Sequence, residues 1–313
     1  MPHATFGDIL LERASDDHLG LRFEDSSWSW REFVAEAAVR AEILRALSRE
    51  HADSYADRPE RYRRLHVGVL LENVPEYLFL VCGAAMAGVT IIGINPTRRG
   101  AELASDIRGV DCDVIVTDDD GAALLTGLDT GGAGSVGVES ARWRELLAAH
   151  AGAEPRLDET ARDPHTLLAL LFTSGSTGAP KAVMCSTGRL AMLGTVNFRG
   201  LVRSDVTYCA MPLFHGNALM AAFAPSAFVG CTFTMRRKFS ASGFLPDVLR
   251  FGATYVNYVG RSLSYVLAQP ERPEEAQTAL RIVCGTEASV ADRAEFARRF
   301  HVEPGESSGS SEG

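Results

Sequence analysis

The stretch Leu170–Met184 reads LLFTSGSTGAPKAVM, and the reading of the whole chain turns on it. It grows out of Thr166-Leu167-Leu168-Ala169-Leu170-Leu171-Phe172, an apolar run of strand length bounded by turn formers. A loop of hydroxyls and glycines follows, Thr173-Ser174-Gly175-Ser176-Thr177-Gly178, and Ala179-Pro180 stiffens its exit before Lys181. Glycines let the backbone bend so that several N–H groups converge on one anion. Hydroxyls add donors and the lysine adds a mobile positive charge. The combination suits a polyphosphate. Ala182-Val183-Met184-Cys185 then reads as a returning strand.

Two common phosphate loops are excluded by spacing. The Walker pattern needs glycine directly before the lysine and Ser/Thr after it; here Pro180 precedes Lys181 and Ala182 follows. The dinucleotide fingerprint needs G-x-G-x-x-G at a helix start, which Gly175 and Gly178 do not supply.

Composition sets the frame. The chain has 313 residues, 46% hydrophobic and 23% charged, ordinary globular usage with ample length for a core. A net charge of −9 argues against a general nucleic-acid role. The six cysteines are scattered, with no C-x-x-C, which points to reduced thiols in a cytoplasmic protein rather than disulfides or zinc. The start, MPHATFGDILLERASDD, lacks the apolar core of a signal peptide. Two uncharged stretches, Tyr77 to Ile94 and Ala218 to Met235, approach membrane-spanning length. The first changes at Gly88 from helix-like to strand-like, and the second is broken by Pro225 and Gly230, so both read as buried elements of an α/β core. Peripheral membrane contact and homodimer formation are left open.

The first half alternates strand and helix. His66 to Leu71 is expected as a strand, Pro75 opens a helix, Val89 to Asn95 is a strand, Arg99 to Gly109 a helix and Asp113 to Thr117 a third strand. That order predicts an α/β fold with a mainly parallel sheet covered on both faces. Upstream, Ser29-Trp30-Arg31-Glu32 fits a capping box, and Phe33, Val34, Ala37, Ala41, Leu44 and Leu47 form one apolar helical face. The glycine-rich Thr126 to Gly137 reads as a loop.

The run around Lys181 resembles the signature loop of adenylate-forming enzymes: acyl-CoA synthetases, peptide-synthetase adenylation domains and luciferases. Met211-Pro212-Leu213-Phe214-His215-Gly216-Asn217 resembles that family's second motif, an aromatic-histidine pair at the acyl substrate. Thr254 to Arg261, TYVNYVGR, is similar to the branch holding fatty-acid transport proteins and very-long-chain synthetases. Leu280 to Ser289 resembles the strand and turn beside the adenine, with Gly285-Thr286-Glu287 at the turn, and Ser289 to Asp292 caps a helix reaching Phe300. Glu306-Ser307-Ser308-Gly309-Ser310-Ser311-Glu312-Gly313 resembles the E-x-Y-G-x-T-E-G motif, with Ser308 in place of the stacking tyrosine. By itself the segment would read as a Ser/Gly tail.

The resemblance implies two packed αβα subdomains, residues 60–195 ending in the phosphate loop and residues 1–59 plus 196–313 on the acyl and adenine side. It implies catalytic roles for Lys181, His215 and Glu312. ATP would contact Thr173, Ser174, Gly175, Ser176, Thr177, Gly178, Lys181, Gly285, Thr286, Glu287, Ser308, Gly309, Ser310 and Ser311. The acyl group would meet His215, Gly216, Asn217, Tyr258, Val259 and Gly260. Thr173 and Glu312 would hold Mg²⁺, whose preference for hard oxygen ligands suits them. The implied reaction is adenylation of a fatty or other carboxylic acid, then transfer to coenzyme A. The family pattern continues into a small C-terminal domain absent from this sequence, so the chain is expected to be an N-terminal portion, weakly active or inactive alone. An acyl-AMP ligase that loads a carrier protein, and a non-catalytic nucleotide- or lipid-binding module, are the competing readings.

Overall fold

The alternation of apolar strands and amphipathic helices produces two mainly parallel sheets in the computed structural model, which describes residues 3–173, 181–197 and 199–306. The strands, in chain order, are β1 (Leu19–Phe23), β2 (Ser26–Ser29), β3 (His66–Leu70), β4 (Thr90–Gly93), β5 (Val114–Thr117), β6 (Gly134–Gly137) and β7 (Leu167–Thr173). They continue with β8 (Lys181–Ser186), β9 (Val206–Cys209), β10 (Thr232–Met235), β11 (Tyr255–Val259), β12 (Ile282–Thr286) and β13 (Pro304–Glu306). One sheet runs β6-β5-β3-β4-β7-β8, and the other runs β13-β12-β11-β9-β10-β1-β2. Among the described residues antiparallel pairing is confined to β7–β8 and β1–β2. β3, β4 and β5 are buried along their whole length, as strands covered by helices on both faces must be.

Local signals in the sequence set the helix starts. Ser29 accepts from the Glu32 N–H while the Glu32 carboxylate accepts from the Ser29 N–H, a complete capping box for the helix Trp30–Glu50. Pro75 occupies the first turn of Pro75–Ala87, where its missing N–H costs nothing. These two helices lie against each other through small residues. A Cβ placed on Gly83 would stand 2.8 Å from the Ala41 nitrogen and 2.9 Å from the Ala37 oxygen. Arg40 adds a two-pronged bond across the pair, at 2.8 and 2.6 Å, to Glu76.

Two expectations are corrected. The glycine-rich stretch 126–137 does not stay a loop: Gly134–Gly137 adds β6 to the edge of the first sheet, in parallel register with β5. Edge pairing uses backbone groups, which glycine supplies without a side-chain signal. Pro225 also fails to break its helix. Helical structure continues through a π segment, Ala218–Phe223, into Ala224–Val229, and ends only at the left-handed Gly230. Pro225 has no N–H for the Ala221 carbonyl, and the Tyr255 hydroxyl takes its place, donating to that oxygen at 2.8 Å. Among the described residues no helix is long and apolar enough to cross a membrane.

The two sheets share one core and are joined at the C-terminal ends of their strands. Phe223 stands 5.3–6.0 Å, ring centroid to ring centroid, from Phe6, Phe33 and Phe233. Each such pair adds about 0.5–1.5 kcal/mol beyond area burial. Asn73, just past β3 and 4% exposed, donates to the carbonyls of Met211 (2.9 Å) and Arg236 (3.1 Å) and accepts from the Leu213 N–H (2.8 Å). Gly93, at the end of β4, leaves no room for a side chain: a Cβ there would lie 2.9 Å from the Phe214 carbonyl. The neighbouring ion pair Glu72–Lys238 is largely exposed on its lysine side and is worth at most about 1 kcal/mol, so the Asn73 amide dominates this junction.

Two outcomes are expected. Gly83→Ala should cost about 1–3 kcal/mol of unfolding free energy and Gly83→Leu more, because backbone atoms cannot rotate away; unchanged urea midpoints would show that the helices are not in this contact. Asn73→Ala should cost about 3 kcal/mol, since it strands three buried backbone groups. Asn73→Asp should cost at least as much, because it turns a carboxylate on two carbonyls. Urea denaturation of the pair checks this, and a milder Asp variant would contradict the bonding pattern.

Candidate functional site

The phosphate-loop prediction places its ends on a strand and its return. β7 and β8 pair with Thr173 opposite Lys181. Ser174, Gly175, Ser176, Thr177 and Gly178 lie outside the described residues, as do the side chains of Thr173 and Lys181. Ser308, Gly309, Ser310, Ser311 and Glu312 lie outside them too. The site is therefore built from what stands around these segments.

His215 is brought directly to the loop. It follows β9 by way of Ala210 to Phe214, the segment held by Asn73 and packed on Gly93. Its half-buried ring faces the backbone of Phe172, the residue before Thr173, and that polar neighbour favours the protonated ring. Burial outweighs this and pushes the imidazole below the ordinary histidine range. Phe214 lies tilted against it, ring centroids 4.5 Å apart. The Phe–His motif and the phosphate-loop strand thus meet, though about forty positions separate them in sequence.

Gly216 is buried and Asn217 half-buried at the start of the helical run that becomes the π segment. Single π turns in α-helices occur often at functional sites. Asn217 accepts a hydrogen bond from Asn257 on β11. The other oxygen of that pair, Asn257 Oδ1, is buried without a partner.

The acyl-side residues of β11 divide between two faces. Strand alternation sets Tyr255, Asn257 and Val259 on one side and Val256 and Tyr258 on the other. Val259 packs with the cluster that holds Phe214 and Leu219. Tyr258 is turned away from His215, into a cluster with Tyr208, Phe244 and Phe296. Its hydroxyl donates to the Gly305 carbonyl at 3.1 Å and to Glu306 Oε1 at 2.9 Å. Gly260 donates from its N–H to the Thr286 carbonyl at 2.7 Å, so the acyl strand and the adenine-side turn are bonded to each other.

At that turn, Gly285 is tightly packed: a Cβ there would lie 2.6 Å from the Tyr258 ring. Thr286 ends β12, and Glu287 adopts a left-handed backbone, φ 67°. The Glu306 carboxylate secures the bend by accepting from the N–H groups of Glu287 (3.2 Å) and Ala288 (3.1 Å). Ser289 then caps the helix Val290–Phe300 as the sequence indicates.

The position of the site follows from topology. The chain passes from β9 to β10 on one side, then returns to β11, β12 and β13 on the other. Ligands bind in the crevice where strand order reverses. β9 and β11 pair only at Tyr255–Thr207 and Val256–Tyr208, whereas β11 and β12 stay paired to Val259–Thr286. The crevice opens at Asn257. Sequence reasoning missed Asn257, Asn73 and the structural duty of Glu306. A lone amide in the aromatic strand YVNYV was the available signal for Asn257; Asn73 gave none, because its partners lie 138–163 positions away. Among the described residues no cluster of three or more His, Cys, Asp or Glu could hold a metal ion.

Comparison with known proteins identifies the family and the fold. The profile of the AMP-binding enzyme family matches residues 12–312. A steroid-22-oyl-CoA synthetase of Rhodococcus jostii is 50% identical over all of this chain and 55% of its own length. A medium/long-chain-fatty-acid–CoA ligase of Mycobacterium marinum is 42% identical over 99% of this chain and 58% of its own. The chain therefore spans a little over half the length of these curated relatives. The inhibitor-bound N-terminal domain of FACL13 from Mycobacterium tuberculosis superposes with a TM-score of 0.81 at 18% identity, over 99% of this chain and 78% of that one, a likeness of fold. The chain belongs to the AMP-binding enzyme family, with the fold of the N-terminal part of adenylate-forming enzymes.

Proposed function

We propose that this protein takes part in the ATP-dependent activation of an apolar carboxylic acid and its transfer to coenzyme A. The observation that carries this reading is the half-buried His215 ring facing the Phe172 backbone, one residue before the predicted phosphate loop begins. On this reading His215 serves the acyl side and the loop the triphosphate. The named CoA-ligase relatives, matched along the whole chain, support the reaction class.

In the proposed first step a carboxylate oxygen attacks the α-phosphorus of ATP. The bond to the β-phosphate breaks, and pyrophosphate leaves with its electron pair. Negative charges crowd together here, so positioning and charge neutralisation dominate the barrier. Lys181 and the N–H groups of residues 174–178 are assigned to the β- and γ-phosphates. Gly285, Thr286 and Glu287 are assigned to the adenine side, and Thr173 and Glu312 to Mg²⁺. On this reading the neutral His215 ring donates its one N–H toward the acyl carboxylate, in a crevice where low dielectric strengthens the bond. In the second step the coenzyme A sulfur attacks the acyl carbon and AMP departs.

Fatty acids are the proposed substrate class. Steroid side-chain acids are the second, because the relative at 50% identity is named for one. A panel of alkanoic and steroid carboxylic acids, assayed for pyrophosphate release and for the CoA thioester on the full-length gene product, separates them. Lys181→Ala should lower release about 100-fold, the cost of one lost charge-stabilising donor. No release with any acid, or undiminished ATP–Mg²⁺ binding in both Lys181→Ala and Glu312→Ala, would refute the proposal.

The lowered pKa of His215 gives a signed pH dependence. Burial disfavours charging this ring, so an acid limb in kcat/KM set by His215 should lie below the pH near 6.5 at which an exposed histidine titrates. His215→Gln, a donor that does not titrate in this range, should remove that acid limb, and His215→Ala should cost about 100-fold near neutrality. An acid limb unchanged in His215→Gln would assign it to another group.

A further inference from the structure

The two tyrosines of β11 bond through their hydroxyls on opposite sides of the strand. Tyr255 donates to the Ala221 carbonyl at 2.8 Å, on the face where Asn257 bonds Asn217. Tyr258 is buried on the other face, and the bonds that begin at its hydroxyl lead to the nucleotide-side turn. It donates to Glu306 Oε1 at 2.9 Å, with the Gly305 carbonyl at 3.1 Å. A carboxylate is the stronger acceptor of the two, so the single proton goes mainly to Glu306. Burial and the adjacent carboxylate push the phenol far above the ordinary tyrosine range, which keeps it a donor.

Glu306 passes that hold to the turn. Its Oε1 also accepts from the Ala288 N–H at 3.1 Å, and its Oε2 accepts from the Glu287 N–H at 3.2 Å. Glu287 has φ 67°, a backbone state that a residue with a side chain keeps only when its surroundings hold it. The tyrosine ring meets the same turn one step earlier. A Cβ on Gly285 would lie 2.6 Å from that ring and 2.1 Å from the Tyr258 carbonyl oxygen. Tyr258 therefore acts on the turn twice, directly at Gly285 and through Glu306 at Glu287 and Ala288.

We propose that Tyr258 is a positioning residue for the nucleotide rather than a wall of the acyl site: through Glu306 it fixes the turn 285–288 and thereby sets the affinity for ATP. This rests on the acid-activation reading above, which assigns that turn to the adenine side. The physical reason is the soft terminal torsion of a glutamate. Two backbone N–H groups leave the Glu306 carboxylate free to rock. A third donor on a buried, packed ring stops it, through a charge-assisted bond. Phenylalanine at this position keeps the packing and removes only the donor.

The experiment compares Tyr258→Phe, Glu306→Gln and Tyr255→Phe in the full-length gene product. Pyrophosphate release, with the acid that the panel above identifies, gives separate KM values for ATP and for the acid. Tyr258→Phe should raise the KM for ATP about tenfold, the worth of one bond to a charged group, and leave that for the acid unchanged. Glu306→Gln should do the same, and the double variant should cost no more than Glu306→Gln alone, because both changes cut one chain of bonds. Tyr255→Phe should leave the KM for ATP as it is. A rise in the acid KM alone would return Tyr258 to the acyl site. Unchanged KM values, an additive double variant, or an equal ATP effect in Tyr255→Phe would show a bond that only supports the strand; each of these overturns the proposal. If no acid drives pyrophosphate release, the activation reading itself has failed. The positioning role is then judged by calorimetry with Mg–ATP alone. Binding about tenfold weaker in Tyr258→Phe than in the unsubstituted protein sustains it, and equal affinities, or no binding to either, reject it.

Discussion

One side-chain amide joins the two halves of this structure where it matters. Asn73 follows the central strand of one sheet, yet all its bonds go to the other: two carbonyls, from Met211 and Arg236, and one N–H, from Leu213. No other side chain could replace it easily, because the junction needs donors and an acceptor in one plane. The adjoining Gly93 lets the Phe214 backbone close on β4. His215, next in the chain, therefore takes its position from both sheets at once. Its ring faces the backbone of Phe172, on the strand that enters the predicted phosphate loop. The His215 segment and the strand that enters the predicted phosphate loop are distant in sequence, and this junction brings them together.

The helix that follows His215 shows how the fold keeps that site open. A plain α-helix would run straight on, but Pro225 cannot bond back to Ala221, and the segment before it winds as a π-helix. Tyr255 from β11 supplies the missing donor to Ala221. Asn257, two residues on, bonds Asn217. One face of β11 thereby holds the helix by two side-chain bonds. Meanwhile β11 leaves β9 after Val256 and remains paired with β12. The crevice is a product of pairing that stops on one side and continues on the other.

Much of the architecture was legible because its causes are local. The capping box at Ser29–Glu32, Pro75 in a first turn and the Ser289 cap each depend on residues three or four apart, and each formed as read. Likewise Phe33, Val34, Ala37, Ala41, Leu44 and Leu47 are all buried. The failures have non-local causes. β6 exists because β5 offered an edge, and no pattern in its glycines announces that. Pro225 would end an isolated helix; a tyrosine thirty positions away rescues this one. Tyr258 and Val259, read together on the acyl side, lie on opposite faces of β11 because strand side chains alternate. Asn73 bonds only distant backbone, so composition and spacing were silent about it. The residues of the phosphate loop and of the terminal motif were named from family order alone, and their roles rest there.

β11 is also the wall between the two chemical compartments proposed for this site. Its Asn257–Val259 face meets the His215 side, and its Tyr258 face reaches Glu306 and Gly305. Glu306 in turn holds the N–H groups of Glu287 and Ala288, which keeps the turn bent at a left-handed residue. Gly260 bonds Thr286 from the strand end. The turn assigned to adenine is thus fixed by the first residue of the terminal motif and by the strand assigned to the acyl group. Such packed and hydrogen-bonded contacts do not deform gradually. A change that moves β11 must therefore also move the turn, so on the proposed assignment acyl shape and nucleotide geometry depend mechanically on one strand of five residues.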